Sequence, residues 1–587
     1  MDVSQVFTQV GHIGAGFLDG RSWSSLRLVS RGTNIYCESS KQFQSLKIPL
    51  TLQSKDWDQA AFKHKGPIEV VICIDSSSNI SETFLEEISK LSGSLQGLHI
   101  SEFFYRNSQV TLVNDLLTRG LHKVCPNLRK LTLPIPIRTD STTKTEIAAQ
   151  LRALNNLEDL CLYTARSLSL PSTLASADHD TRSCDLAFPA LRNLSLGHEQ
   201  ECVMSSCHVL EGALTLPMML VNSKTSLVTL DLKWVCLSAR ELLELGQELE
   251  HFRNLETLAL NLGELNATSN DGKVATRALI DGLRDGHLPK TLRTLDLKLL
   301  SPSRNCFDRA ADVLIDSIPF LAALQILVFV VDIDRPIPKG SYRRQALVEV
   351  IQKSQLRSIT WEFEGNLRMF RGGDSGEGFF NWFIPQSPKF YTAFTSRLKS
   401  LTIGGLVFHG FPLNGMTKLA FSRLEAIETL RLQKCGGCFE SLVEAVQAIP
   451  HKDRVSEFSL FNFQFDSSMQ SFSLLPARRL HSMPSTYGAR VYAAQRQIRS
   501  ILPVVKAMTS LSRLTLWIGY IMTFEVMNLL GPGLDLVEFA EELRAVFLRL
   551  EYLKVSFGAP CYVIESQLSQ PPSAPASLMQ VREKTET

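Results

Sequence analysis

Three places in the chain carry residue types that could do chemistry. Gly373-Asp374-Ser375-Gly376 has the form of a loop presenting a serine nucleophile. Such a serine also needs a histidine base held by a carboxylate. No segment supplies that histidine, and a glycine-rich loop joining two elements accounts for the four residues. Cys435-Gly-Gly-Cys438 has the spacing of a redox pair or of half a zinc site. It follows an apolar run rather than opening a helix, and the chain has no second pair at that spacing. Cys202, Cys207 and His208 could join a metal cluster, but tetrahedral zinc takes four ligands at short, paired spacings. The phosphate loop Gly-x-x-x-x-Gly-Lys, a Gly-x-Gly-x-x-Gly after a strand and His-Glu-x-x-His are all absent. The chain reads as non-catalytic, with no metal, no cofactor and no small-molecule ligand.

Composition narrows the field further. The 587 residues contain 61 Lys plus Arg against 59 Asp plus Glu, a net charge of +2, so nothing draws the whole chain toward nucleic acid or an anionic membrane. With 44% apolar and 20% charged residues it is globular. The longest apolar run, residues 320–331, falls far short of the ~20 residues that cross a bilayer. Met1 to Phe17 contains no Lys or Arg and so lacks the basic start of a secretory signal. Cysteines such as Cys73, Cys161 and Cys236 lie in apolar runs, as buried thiols do in a reducing compartment. These features predict an intracellular protein, cytoplasmic or nuclear.

Leucine organises the chain. It accounts for 88 residues and recurs as Leu-x-x-Leu-x-Leu-x, with strict copies starting at Leu128, Leu157, Leu191, Leu227, Leu255, Leu292 and Leu511. About two such heptapeptides would arise by chance at this leucine content, so seven is an excess. Relaxed copies start at Leu95, Leu324, Leu356, Leu398, Ile427, Val455 and Leu550, and from 95 to 455 successive starts are 28 to 42 residues apart. That length fits one strand, one helix of about three turns and two loops. Residues 43–49 and 68–74 extend the series toward the N-terminus.

In each copy the fourth and sixth positions face one way and the third, fifth and seventh the other, because strand side chains alternate. Between copies, Ser238-Ala-Arg-Glu241 is a capping box followed by Leu242, Leu245, Leu249 and Phe252 at helical spacing. Thr143-Lys-Thr-Glu146 followed by Ile147, Leu151 and Leu154 repeats it. A strand-plus-helix unit cannot bury its apolar face alone, so consecutive units must stack with strands parallel and helices outside.

The repeats resemble the leucine-rich-repeat family, in its long, helix-bearing, ribonuclease-inhibitor-like form. The resemblance implies an α/β solenoid, a curved horseshoe with a parallel sheet on its concave face and helices on its convex face. It also implies Asn or Cys at the tenth position of a copy; Cys236 fits, whereas Gln200, Glu264 and Ser301 do not. The solenoid is expected over residues 43–562, with irregular insertions near 171–189, 365–396 and 462–508. Residues 563–587 are rich in Pro, Ser and charge and are expected to be disordered.

Residues 1–42 form a separate helical segment. Trp23, Leu26 and Val29 fall on one helix face, and the run LDGRSWSSLRLVSR, residues 18–31, is similar to the second half of the F-box family motif. That resemblance implies docking on the small adaptor of a cullin-type (SCF) ubiquitin ligase through Leu18, Trp23, Leu26, Leu28 and Val29, while the repeats hold a protein substrate. The first half departs from the pattern: Gly11, Gly14 and Gly16 interrupt the expected first helix at about 1 kcal/mol each. Gly32 and Thr33 stand where a bulky aromatic is common. The alternative is an N-terminal cap on the first repeat, which solenoids generally need.

On the concave face the exposed positions carry mixed charge, which suits a protein ligand better than a polyanion. The partner site is expected in the second half of the curve, at Ile326, Val328, Val330, Glu362, Arg431, Phe461, Arg513 and Trp517. Two readings stay open: a substrate receptor of the ubiquitin ligase, whose partners are a protein substrate, the adaptor and the cullin, or a repeat scaffold or inhibitor with no ligase link.

Overall fold

In a computed structural model, the described residues are 46–51, 68–74, 95–102, 120–135, 151, 153–164, 188–197, 220, 222–235, 237–263, 265, 269–300, 306–332, 342–363, 396–404, 407–408, 415–433, 435–465, 500–519, 552–557, 562–567 and 581–582. Two compact units divide the chain: residues 1–261 with 281–292, and residues 262–280 with 293–587.

The first unit carries β1 (Leu46–Thr51), β2 (Ile68–Ile74), β3 (Leu95–Glu102), β4 (Lys130–Ile135), β5 (Asp159–Thr164), β6 (Asn193–Leu196), β7 (Thr229–Leu232) and β8 (Thr257–Asn261). Each pairs in parallel with the next. Its helices are α1 (Leu121–Val124), α2 (Ala239–Leu249), the last turn of α3 (Asn270–Arg284) and α4 (Leu288–Thr291).

The second unit carries β9 (Thr294–Leu300), β10 (Ile326–Asp332), β11 (Ser358–Phe363), β12 (Ser400–Gly404), β13 (Val407–Phe408), β14 (Thr429–Gln433), β15 (Gly436–Gly437), β16 (Glu457–Phe465), β17 (Arg513–Gly519) and β18 (Tyr552–Phe557). Its helices are α5 (Cys306–Ser317), α6 (Tyr342–Lys353), α7 (Gly415–Phe421), α8 (Phe439–Gln447) and α9 (Leu502–Lys506). The long strands pair in parallel in the order β9, β10, β11, β12, β14, β16, β17, β18. Both units are α/β leucine-rich-repeat solenoids.

From β4 onward, each long parallel strand begins at the third position of its copy, and register partners occupy equivalent positions. One backbone device sets this register. The second-position carbonyl of a copy accepts from the second and third N–H groups of the next. Arg129 O accepts from Glu158 and Asp159 at 2.7 and 2.9 Å, and Lys399 O from Glu428 and Thr429 at the same two distances. Because the bond belongs to the backbone, relaxed copies stack like strict ones. The fourth-position row runs Leu131, Leu160, Leu194, Leu230, Leu258 in one unit and Leu295, Leu327, Ile359, Leu401, Leu430, Phe458, Leu514 in the other, all buried. Each such side chain contributes about 1.5–3 kcal/mol on burial. Where the sixth position turns aromatic, Phe329 and Trp361 lie 4.7 Å apart and Phe307 of α5 meets Phe329 edge-on.

Helix α2 starts as its sequence predicts. Ser238 Oγ accepts from the Glu241 N–H, and Glu241 Oε2 accepts from the Ser238 N–H. Leu242, Leu245, Leu249 and Phe252 are buried. Gly246 and Gly282 let the backbones of α2 and α3 touch, since a Cβ on Gly282 would stand 2.1 Å from Gly246 O. The box at Thr143 lies outside the described residues, as do most of the three insertions and all of residues 1–42.

One boundary needs correction. The chain beyond residue 562, expected to be disordered, includes β19 (Tyr562–Gln567), antiparallel to β18, and β20 (Val581–Arg582), antiparallel to β19. Composition could not reveal this pairing, because β19 gains its backbone bonds from a neighbour.

Candidate protein-binding face

The third, fifth and seventh positions point away from the leucine rows, and they differ along the sheet. In the first unit the fifth-position row reads His99, Thr132, Cys161, Ser195, Asp231, Ala259 across β3 to β8. These short side chains bind one another: His99 Nδ1 lies 2.9 Å from Thr132 Oγ1, and Cys161 bonds Ser195. Burial, with the Asp231 charge adding to it and the Ser195 bond opposing, holds the Cys161 thiol above its ordinary pKa. A raised pKa disfavours the reactive thiolate. Asn193 donates to Asp159 one row over, and Lys233 sits 3.4 Å from Asp231.

In the second unit the face is closed at one end and open at the other. Ile326 is 38% exposed and Val328 half-buried, but Val330 is only 7% exposed. The apolar strip expected on β10 is therefore open only at its start, and Val330 is buried although its strand phase turns it outward. Its neighbours behave alike: Lys298, the register partner of Val330, is 4% exposed, and Asp296 and Thr402 are buried too. Glu362 is half-buried, with its Cβ and Cγ packed over Gly404, where an added Cβ would stand 2.9 Å from either.

Beyond β12 the face opens. Arg431 and Arg513 are exposed, and Phe461 is half-buried. Arg431 Nε and Nη2 donate to Glu457 Oε1 and Oε2 at 2.9 and 3.1 Å. Glu457, absent from the residues expected in the partner site, is the bidentate partner of Arg431; a third-position acid beside a fifth-position arginine in consecutive copies is the signal. Phe461 is the register partner of Trp517 on β17, and a bulge between Phe461 and Phe463 shifts the ladder there. The structure thus gathers Arg431, Phe461, Arg513 and Trp517 on β14 to β17, and leaves Ile326, Val328, Val330 and Glu362 on β10 and β11. Leu18, Trp23, Leu26, Leu28 and Val29 lie outside the described residues.

The cysteine pair at 435–438 has a structural explanation. Contrary to expectation it does open a helix, since Cys438 stands at the N-cap of α8. Its two glycines form β15, laddered between β13 and β16. Gly437 has φ +106°, and a Cβ there would lie 2.2 Å from Phe408 O. Cys435 is buried, with its Sγ 3.8 Å from Ile403 O on the neighbouring strand and 3.4 Å from Gln433 O. Cys435 thus bonds strand carbonyls from the ninth position of its copy. Ser375, Cys202, Cys207, His208 and Cys236 lie outside the described residues. Among the described residues no three His, Cys, Asp or Glu side chains group as a metal site, and no helix is long and apolar enough to cross a membrane.

No family model and no curated protein matches the sequence. Among solved structures, one described as the crystal structure of a TLR13–ssRNA13 complex matches at 15% identity and a TM-score of 0.29, over 72% of this chain and 49% of that one. This chain thus spans about half the length of that one, and a TM-score of 0.29 is too low to add to what the strands establish. The fold rests on the stacked parallel strands and the helices between them.

Proposed function

We propose that the chain is a non-catalytic subunit whose outward strand face on β14 to β17 holds a protein substrate, and that residues 1–42 attach it to the adaptor of a cullin-type ubiquitin ligase. The observation that carries the first half is the outward patch of exposed Arg431 and Arg513 with half-buried Glu457 and Phe461 on neighbouring parallel strands. Arginine and aromatic side chains dominate interface hot spots. The second half rests on the likeness of residues 18–31 to the F-box motif. The substrate would be presented by proximity alone, to a transferase that the chain does not supply.

The experiment is a pull-down of the full chain and of a form lacking residues 1–42, probed for adaptor and cullin. Retention by the full chain and loss on truncation support the receptor. Loss from both, with folded protein, favours a scaffold or inhibitor with no ligase link, a reading in line with Gly11, Gly14 and Gly16, glycines that disfavour a helix over the first half of the motif.

A further inference from the structure

Two guanidinium groups and one carboxylate occupy adjacent outward positions of β14, β16 and β17. Glu457 is the register partner of Arg513 on one side and binds Arg431 through both oxygens on the other. The three residues carry one positive charge in excess. Those two bonds use two of the five N–H donors of Arg431, whose side chain is 46% exposed. The neighbouring outward residues Thr429, Ser459 and Thr515 are uncharged hydroxyls. The sequence joining β16 to residue 500 contains Arg478, Arg479, Arg490, Arg496 and Arg499, with Asp466 as its sole acid, and so has the same sign. Two residues beyond Arg431 and Ser459 come Gln433 and Phe461, themselves register partners, at about 6.6 Å along the strands.

We infer that this patch anchors an acidic segment of the partner protein, one with a carboxylate beside Arg431 and Arg513 and an apolar side chain two residues away on Phe461. The inference rests on the protein-binding reading above and gives the chemistry of the same face. A basic segment would have to compete for Glu457, both of whose oxygens Arg431 already holds. A nucleic acid would need a row of cations along its phosphates, whereas here an acid stands between the two arginines.

The test pans the full chain against a random 12-residue peptide display library, then measures the best peptide, synthesised and labelled, on wild type, Arg431→Ala, Arg513→Ala and Glu457→Gln. Thermal unfolding of each variant is recorded in parallel. Selected peptides should be enriched in Asp or Glu two residues from an apolar side chain. Affinity should fall about tenfold or more in Arg431→Ala, the scale of a hydrogen bond between charged groups. It should rise about threefold or more in Glu457→Gln, because removing the competing carboxylate releases the guanidinium; damage to the fold cannot produce a gain. Selected peptides without acidic residues would overturn the anchor and leave the protein-binding reading intact. The anchor also falls if Glu457→Gln weakens binding or if no peptide is selected. A labelled oligo-uridylate that binds through Arg431 in place of peptides would overturn both readings.

Discussion

The inward and outward rows share the same strands and follow opposite rules. Inward, the fourth and sixth positions of the copies from Leu95 to Leu511 are all buried, and substitutions among Leu, Ile, Phe and Trp are absorbed by packing. Outward, the row changes character along the chain. It bonds across neighbouring strands between His99 and Thr132 and between Cys161 and Ser195, is buried at Asp296, Lys298 and Val330, and is charged at Arg431, Glu457 and Arg513, with both arginines exposed. The difference teaches that the buried rows repeat from copy to copy while the character of the outward rows is local. One patch can be rewritten without touching the register.

The comparison is most easily broken from inside. Leu430→Ala, in a fully buried row, should cost about 2–5 kcal/mol in the denaturant midpoint. A cost below 1 kcal/mol would mean that the copies are not tightly stacked. Gly437→Ala, at φ +106° against Phe408 O, should cost about 1–3 kcal/mol. Removing the cap in Ser238→Ala should cost about 1 kcal/mol, and Ser238→Asp should restore most of it. Outward, a double-mutant cycle on Arg431 and Glu457 should give a coupling of only about 0.2–1 kcal/mol in stability, shrinking with salt. A larger value would erase the distinction between the rows.

The smallest effect at neutral pH belongs to Cys125, whose thiol burial pushes from 9.0 up to about 12. The unfolded chain gives up this proton first. The stabilisation is therefore complete below about pH 9 and lost as pH rises toward 12. Denaturant midpoints of wild type and Cys125→Ala should run parallel below pH 9 and converge above it; parallel curves throughout would refute the assignment.

Strand phase was legible because it is a local property: two leucines at positions four and six set the face of every copy, and the capping box at Ser238 announced α2 from four residues. Burial of the outward face does not follow from strand phase: Lys298 and Val330 alternate correctly and are nevertheless buried. The pairing of Cys435 with Ile403 O joins residues 32 apart, so the ninth position could not be singled out from its own copy. Glu457 gained its role only once consecutive copies were known to share register.

That shared register also governs how such a chain can change length. A single-residue deletion within β10 would turn each later side chain of that strand to the opposite face and set leucines among charges. Removing all of residues 324–355 would instead bring Leu356 to the place of Leu324, with Ser358 and Ile359 taking up the partners of Ile326 and Leu327. Whole copies can thus be gained or lost as interchangeable modules, and tolerance to insertion or deletion should peak at multiples of one unit.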